Sequence, residues 1–296
     1  MSADGPFAIL GLGLIGGSLA RDLAASGATV WGYDADAATM KRARRSGVIA
    51  ERIEHDLTRL AEARTVVLAV PVDVAPDLLE RARPFLDRAS LVTDVGSTKQ
   101  RIVSRALALG LRETFVGSHP IAGDSRAGWS ASRRGLFKDA RVDLCANSEA
   151  GTGVWRRARA LWRLVGARPI ARDAATHDAE VAFSSHLPQL LAVALAGTLV
   201  ARGVARNRLG PGGLTMTRLA ASSPDMWSAI LDDNAVEVLD ALTACQAAIG
   251  ALRGAVEARD REAVQATFGD AHAWMQGGDS VPARAPRPAL ASGEPE

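Results

Sequence analysis

Residues Pro6–Ser18 read PFAILGLGLIGGS, and their pattern indicates the class of fold. It opens with a short apolar run, which is typical of a buried strand, and a helix is predicted from Leu19 to Ala25. G-x-G-x-x-G lies between them, in the strand-to-helix context of dinucleotide-binding folds. In that context Gly11 makes the tight turn, Gly13 lets a pyrophosphate approach the backbone, and Gly16 lets helix and strand pack closely.

The segment that follows supports a dinucleotide site. The start of the helix offers unpaired N–H groups to phosphates, and Leu14 and Ile15, in the glycine turn before it, are candidate cofactor contacts. A second predicted strand, residues 28–33, ends at Asp34, whose carboxylate can accept the ribose hydroxyls and repel a 2′-phosphate. Ala35 follows instead of an arginine, so NAD is the favoured cofactor, while basic residues a few positions later leave NADP open. In the alternative interpretation Asp34 only caps a helix.

Strand and helix patterns alternate through the first half of the chain. Between helical segments, further strands are predicted at residues 65–70, 90–95, 141–145 and 168–170. Repeated βα units predict an α/β fold with a parallel, doubly wound sheet, and we place this Rossmann-type domain at residues 5–172. Ligands bind beyond the carboxyl ends of the strands in such sheets. We therefore expect one crevice to receive Val70, Pro71, Gly96, Ser97 and the loop of His119.

The chemistry is predicted in the stretch GSHPIAGDSRAG, which begins at Gly117. The proline after His119 keeps that histidine out of helical backbone, so its imidazole is presented from an extended or turn segment. A neutral imidazole is a suitable base near neutral pH. Asp124 and Ser125 follow as candidates for substrate contact, or as residues that shape the turn. Ser97 either caps the helix after it or contacts a ligand at the mouth of the crevice.

The second half of the chain has helical patterns only. A helix over residues 178–201 is apolar on most faces, which is typical of a subunit interface and predicts a homodimer. Pro188 should kink this helix beside His186 and Gln189, where a polar ligand or a satisfied core histidine would fit. Arg218 lies among apolar residues and is a candidate for a buried anion contact, with a surface salt bridge as the alternative.

The composition of the chain predicts its domain organisation and the kinds of partner that it lacks. We assign residues 173–276 to an all-α substrate and dimerisation domain and residues 277–296, rich in Gly, Pro, Ala and Arg, to a disordered tail. The net charge is +2 and scattered, so no nucleic-acid partner is expected. Cys145 and Cys245 lack metal-ligand spacing, so no metal is expected. Without a signal-like segment or a run of about 18 apolar residues, we expect a soluble, cytoplasmic protein with no membrane partner.

With these pieces placed, the chain resembles the prephenate/arogenate (cyclohexadienyl) dehydrogenase family of tyrosine biosynthesis. The first matching motif, GLGLIGGS at residues 11–18, is common to dinucleotide folds. The combination with the later motifs is specific, and all occur in family order. These later motifs are DVGSTK at 94–99, GSHPIAG at 117–123, SHLP at 185–188, TRLA at 217–220 and SPDMW at 223–227.

The resemblance implies NAD-dependent oxidation of prephenate or arogenate, with hydride transfer to the nicotinamide, loss of the ring carboxylate as carbon dioxide, and aromatisation. His119 corresponds to the base that accepts the ring hydroxyl proton, and Ser97 to the serine that orients both groups. Arg218 corresponds to the arginine that binds a substrate carboxylate. His186 matches the first histidine of the family's His-Leu-Pro-His run, and Gln189 stands where the family often has the second.

The choice of substrate is left between two compounds. Prephenate is the first expectation, since Asp124 could simply cap a turn. Arogenate is the alternative, because Gln189 removes a cation near the substrate side chain and Asp124 could pair an ammonium. A related dehydrogenase with a lysine in its helical half is disfavoured, since no lysine follows Lys138. A non-catalytic dinucleotide-binding module is the remaining alternative. Some relatives carry a regulatory domain or a fused mutase, and neither is expected here.

Overall fold

The structure is a computed structural model, and it describes residues 5–123, 126–146 and 150–277. Asp124, Ser125 and residues 278–296 of the predicted tail lie outside the described residues. Within the described ranges, strands form two sheets. In chain order they are β1 (Phe7–Leu10), β2 (Val30–Tyr33), β3 (Glu51–Arg52), β4 (Thr65–Leu68), β5 (Leu91–Asp94), β6 (Gly117–Pro120), β7 (Arg141–Cys145) and β8 (Arg168–Arg172).

Helices alternate with the strands up to β8 and follow one another after it, as the sequence predicts. Short 3₁₀ turns connect several of them. The α-helices are α1 (Leu14–Ala25), α2 (Ala37–Arg45), α3 (Ala75–Ala82), α4 (Gln100–Ala108), α5 (Thr152–Leu164), α6 (Ala174–Val181), α7 (Leu187–Ala201), α8 (Pro211–Met216), α9 (Pro224–Asp233), α10 (Ala235–Glu257) and α11 (Arg261–Gln276).

The main sheet has the strand order β3-β2-β1-β4-β5, and every neighbouring pair is parallel. Alternate residues of a strand face opposite sides of a sheet. In β1, Ala8 and Leu10 pack with the residues of α3 and α4, whereas Ile9 packs with those of α1 and α5. Helices therefore cover both faces, and the predicted doubly wound parallel sheet is confirmed.

The second sheet departs from the prediction of one continuous parallel sheet. Its order is β6-β7-β8, with β6 antiparallel to β7 and β7 parallel to β8. The segment before β6 runs beside β5, where the Val92 amide donates to the Thr114 carbonyl at 2.7 Å and the Val116 amide donates to the Val92 carbonyl at 3.1 Å. His119 consequently lies in a strand, opposite Asp143, and not in the loop that we expected.

Two glycines of the G-x-G-x-x-G motif are required by packing. Gly11 has φ +99°, and a Cβ there would lie 2.2 Å from the Ala69 carbonyl oxygen. A Cβ on Gly16 would lie 2.0 Å from the Gly11 carbonyl oxygen, so any side chain would push α1 away from the strand ends. A Cβ on Gly13 would meet nothing within 4 Å. The space beside Gly13 is open, as a site for an approaching phosphate requires.

The long apolar helix contains an irregular turn. It runs from Ala174 to Ala201 and thus begins four residues before the predicted start at 178. Between α6 and α7, residues Ala182–His186 form a π-helical turn. Pro188 lies in the first turn of α7 and has no N–H to offer the preceding turn. The irregularity that the sequence predicts at the proline is therefore realised as a π turn directly before it.

The chain divides into two compact units, one up to Ala241 and one from Leu242. The domain boundary that we place between residues 172 and 173 stays a prediction.

Two helices, Ala174–Ala201 and Ala235–Glu257, are long and apolar enough to cross a membrane by length and composition alone. In their most apolar windows only 17% and 11% of the residues are buried, so both helices leave apolar surface uncovered in the single chain.

Candidate active site

The phosphate end of the crevice lies at the start of α1. Gly13 occupies the N-cap position and supplies no side-chain cap. The first N–H groups of a helix have no partner inside it, so the amides of Leu14 and Ile15 are available to an anion. The structure thus places the predicted phosphate-binding residues together at one helix terminus.

Asp34 occupies the end of β2 next to this turn. Its Oδ2 accepts the Leu12 amide at 2.8 Å and its Oδ1 accepts the Asp36 amide at 2.9 Å. Lone pairs remain on both oxygens for two ribose hydroxyls. The alternative, in which Asp34 caps a helix, is wrong, because the cap of α2 is Asp36, whose carboxylate accepts the amides of Ala38 and Thr39.

Val70 and Pro71 follow β4 on the other side of the glycine turn. The Ala69 amide donates to the Leu10 carbonyl at 2.6 Å, which holds the two strand ends together. Val70 is half-buried, and a Cβ on Gly11 would lie 3.1 Å from its Cγ1. Both predicted residues therefore border the same turn as the glycines.

A buried ion pair organises the end of β5. Asp94 and Lys99 are 2% and 0% exposed, and the Lys99 ammonium contacts Oδ2 of Asp94. The same oxygen accepts the Gly96 amide at 2.8 Å, and Oδ1 accepts the Ser118 amide at 3.2 Å. One carboxylate therefore ties the turn after β5 to the residue next to His119.

Ser97 lies in that turn and is partly exposed. The alternative in which it caps α4 is wrong, because α4 begins at Gln100 and its N-cap position is Lys99. The cap comes from the helical half of the chain. The Asp178 carboxylate accepts the amides of Lys99 and Gln100, both at 2.8 Å. The Ser97 hydroxyl is thus not used as the helix cap.

A chain of hydrogen bonds leads from His119 into the protein. Its Nδ1 lies 2.9 Å from Nε2 of His177, and Nδ1 of His177 lies 2.8 Å from Oδ1 of Asp178. His177 and Asp178 are each 1% exposed, whereas His119 is only half-buried. The accessible imidazole is therefore held from behind by two buried residues.

The carboxylate of Asp178, at the buried end of these hydrogen bonds, determines which ring nitrogens of His177 and His119 carry protons. A carboxylate only accepts hydrogen bonds, so Nδ1 of His177 carries a proton and its Nε2 offers a lone pair. That lone pair accepts from Nδ1 of His119, which leaves Nε2 of His119 unprotonated in the neutral ring. The hydrogen positions follow from the partners of each ring and give His119 the tautomer of a proton acceptor.

The surroundings of His119 favour its neutral form. Burial lowers the pKa of His119 well below its ordinary value of 6.5, and the nearby rings and cations, first His177 and then Lys99, lower it further. The His119 imidazole is therefore deprotonated at neutral pH, the form that can accept a proton.

His186 is a buried, neutral histidine. It is 1% exposed, and burial lowers its pKa to about 4. The Asn234 amide nitrogen donates to the Asp178 carbonyl at 2.9 Å and lies 3.3 Å from Nδ1 of His186. The Trp227 ring packs edge-on against it, with ring centroids 5.7 Å apart. These contacts are those of a satisfied core histidine.

Gln189 and Arg218 occupy a different arrangement from the expected one. Gln189 is 4% exposed, and its amide donates to the Leu219 carbonyl at 2.8 Å and accepts from the Ser222 hydroxyl at 3.3 Å. These bonds hold the 3₁₀ turn Arg218–Ala221 against α7. Arg218 itself is exposed in the single chain, so the buried setting that its apolar neighbours predict is not found there, and its contact with an anion stays a prediction.

Sequence reasoning missed the residues that position the site. His177, Asp178, Lys99 and Asn234 are all buried polar residues that contact one another or His119. His177 and Asp178 could have been found from the sequence, because these two polar residues stand at the start of a helix that is apolar on most faces. Asp124 and Ser125 lie outside the described residues, so their roles stay predictions.

A Rossmann-type crevice with an oriented imidazole at the same strand ends defines a dinucleotide-binding oxidoreductase. Comparison with known families agrees. Residues 19–171 match the family described as prephenate dehydrogenase, nucleotide-binding domain, and residues 173–270 match prephenate dehydrogenase, dimerization domain. The chain belongs to the prephenate dehydrogenase family.

Similar proteins include prephenate dehydrogenases and a cyclohexadienyl dehydrogenase. The prephenate dehydrogenase of Bacillus subtilis is 32% identical over 91% of this chain and 75% of its own length. The cyclohexadienyl dehydrogenase of Zymomonas mobilis is 30% identical over 86% of this chain and 89% of its own. The crystal structure of A. aeolicus prephenate dehydrogenase with hydroxyphenyl propionate and NAD+ has a TM-score of 0.86 and 26% identity, covering 93% of this chain and 98% of that one. The predicted family is confirmed.

The ion pair beneath the site predicts an asymmetry between two substitutions. Asp94→Asn leaves the buried Lys99 ammonium without its carboxylate and should destabilise the fold by about 3–5 kcal/mol. Lys99→Met should cost less, because Asp94 keeps the Gly96 and Ser118 amides as donors. Urea unfolding measures both, and the double variant should be more stable than Asp94→Asn alone. Equal losses in the two single variants would contradict this assignment.

Proposed function

We propose that this chain catalyses the NAD-dependent oxidative decarboxylation of prephenate to 4-hydroxyphenylpyruvate in tyrosine biosynthesis. The observation that carries the proposal is the His119–His177–Asp178 chain, which presents an unprotonated Nε2 at the strand ends that also carry the nucleotide-binding turn. Family membership supplies the reaction class, and the named relatives supply the substrate.

The residues present fit NAD. The amides of Leu14 and Ile15 and the open space at Gly13 suit the pyrophosphate, and the Asp34 carboxylate suits the two ribose hydroxyls of the adenosine half. Gly11, Gly16, Val70 and Pro71 shape this crevice. When bound, NAD supplies the hydride acceptor. The charge of Asp34 disfavours a 2′-phosphate, so NADP is the second candidate.

In the proposed reaction His119 manages the proton of the ring hydroxyl. Its Nε2 accepts the hydroxyl proton as the carbon beneath that hydroxyl gives up hydride. The bond from the ring to its carboxylate then breaks, carbon dioxide leaves, and the electron pair enters the ring, which becomes aromatic. The proton held by His119 can return to the phenolate oxygen. Aromatisation drives the sequence, so one oriented base suffices on the protein side.

The other predicted residues take supporting roles in this proposal. Ser97 stands in the turn that Asp94 ties to the neighbour of His119, where its hydroxyl can orient the substrate hydroxyl. Arg218 is exposed and can bind a substrate carboxylate through its guanidinium fork. His186 and Gln189 act by position, because their side chains are buried against Asn234 and against the turn that carries Arg218.

Arogenate is the alternative substrate. Gln189 stands where relatives often have a histidine, and its amide is engaged with Leu219 and Ser222, so it brings no positive charge toward a pyruvyl side chain. Asp124 and Ser125 remain the candidates for reading the side chain of the substrate. The similarity to a cyclohexadienyl dehydrogenase fits a dual-specificity enzyme.

We also propose that the chain acts as a homodimer. In the first compact unit Val193 and Val200 of α7 are 48% and 78% exposed. Such apolar surface is rare on a monomer and typical of an interface between subunits. The matched C-terminal family domain is described as a dimerization domain. A cytoplasmic location, with no nucleic-acid or membrane partner, stays our prediction.

The central experiment measures the formation of NADH from NAD+ and of NADPH from NADP+, each with prephenate and with arogenate. Activity should be greatest with NAD+, and His119→Asn should lower kcat by about 10²–10⁴-fold because the proton acceptor is gone. Full activity of that variant would contradict the role of His119. NAD+ binding with no turnover of either substrate would instead support the non-catalytic module.

His177 is predicted to position the base. In the parent enzyme the acid limb of kcat/KM should lie below pH 6.5, because the pKa of His119 is lowered, and activity is lost only as pH falls through that value. His177→Leu should lower kcat by about 10²-fold with little change in KM, and should shift the acid limb to higher pH. His177→Gln keeps an acceptor for Nδ1 of His119 and should restore part of both. An unshifted pH profile would leave His177 a packing residue.

Light scattering tests the dimer. The parent protein should have twice the chain mass of 31.0 kDa, and Val200→Glu should shift it toward the monomer because a buried unpaired charge opposes association. Val74→Glu is the matched control, since Val74 is also an exposed valine, 44% accessible, but lies in the sheet half. A monomeric parent protein would overturn the proposal.

A further inference from the structure

A second cavity lies at the edge of the main sheet opposite the active site. Its volume is about 970 Å³, and it is lined by Phe7, Thr65 and Leu91, the first residues of β1, β4 and β5. The glycine turn, Val70 and the Asp94 turn all follow the other ends of these same strands. An occupant of this cavity would therefore not compete with nucleotide or substrate.

One wall of the cavity is a row of arginines on α5. Arg156, Arg159 and Arg163 are spaced by three and four residues, so they share one helix face, and Arg157 and Arg64 complete the cationic wall. All five side chains are exposed. None of them forms an ion pair with a carboxylate in the part of the chain that the structure describes.

Helix stability alone does not account for this row. Like charges three and four residues apart on a helix repel each other, and only Arg163 lies in the last turn, where the helix dipole favours a cation. α5 has four arginines and no acidic residue to offset them. An anion bound in the cavity would remove this repulsion and would receive several charge-assisted hydrogen bonds.

Much of the remaining wall is apolar, with hydroxyl groups from Thr65, Ser90 and Thr152. Leu161 and Ala160 of α5 line the cavity together with Ala171 of β8, and Trp155 offers a partly exposed indole face. The volume lies within the range of small-molecule sites, which bury an apolar body and orient it with a few polar groups. A concave site of this kind suits a compact ligand better than a polymer.

We propose that this cavity binds a small molecule with at least two anionic oxygens on an aromatic or similarly flat apolar body. The planar guanidinium group matches the oxygens of both phosphates and carboxylates, and it also stacks on aromatic faces. The indole ring of Trp155 can stack on an aromatic ligand in the same way. The assignment is independent of the proposed catalytic function, because none of its residues belongs to the active site.

Calorimetric titration of the full-length protein, saturated with NAD+, uses phenyl phosphate and phthalate as probes and inorganic phosphate as the probe without a ring. Phenyl phosphate or phthalate should bind, more weakly at high salt, and inorganic phosphate should bind less tightly than either. The variant Arg159→Gln with Arg163→Gln should weaken binding at least ten-fold. The control, Arg202→Gln with Arg206→Gln, removes two exposed arginines outside the cavity and should leave binding unchanged.

The outcomes separate this site from others. If phosphate binds as tightly as the aromatic probes, if both double variants lose binding equally, or if no probe binds, the proposal is overturned. Loss of binding in Arg218→Gln with full binding in the Arg159/Arg163 variant would place the probe in the substrate site and would also overturn it. Should the first double variant melt at a lower temperature than the parent, Arg64→Gln with Arg156→Gln provides the same test from other positions of the wall.

Discussion

The buried ion pair between Asp94 and Lys99 is the constraint on which the site depends. Removing two charges from water is costly, and the cost is offset only where their remaining hydrogen-bonding capacity is satisfied. Asp94 meets this condition with the amides of Gly96 and Ser118. The backbone amide of Lys99 is held in turn by Asp178. The turn after β5, strand β6 and helix α6 are therefore positioned against a single residue pair.

The parts of the molecule that the sequence predicts correctly are those determined locally. Apolar runs between turn residues give the parallel sheet, and the glycine spacing with Asp34 gives the nucleotide crevice, because each depends on neighbouring residues. The antiparallel β6 and the chain behind His119 depend on distant partners. Asp178 caps α4, which begins 78 residues earlier, and the residue pattern of neither α4 nor α6 predicts that contact. The apolar neighbours of Arg218 predict a buried side chain, yet Leu219 and Ala220 are half-buried while Arg218 itself is exposed in the single chain.

The protonation of the two imidazole rings is determined by Asp178, which does not contact the accessible ring of His119. Asp178 accepts from two backbone amides and from His177, so its orientation is fixed by folding before any ligand arrives. If His119 is the base that we propose, its proton-accepting tautomer is therefore preorganised by the fold. The helical segment that carries His177 and Asp178 continues into the exposed apolar residues Val193 and Val200, so the proposed dimer and the orientation of His119 would share one structural element.

The π turn between α6 and α7 acts as a phase adjustment. One additional residue per turn offsets the two halves of the helix by about 100° around the axis. This offset allows His177 and Asp178 to face β6 and α4 while Gln189, farther along, faces the turn of Arg218. In a regular α-helix the directions of these two sets of contacts would differ from the observed ones by about 100°. A one-residue deletion between Ala182 and His186 would look conservative in an alignment, yet it would uncouple the two halves of the site.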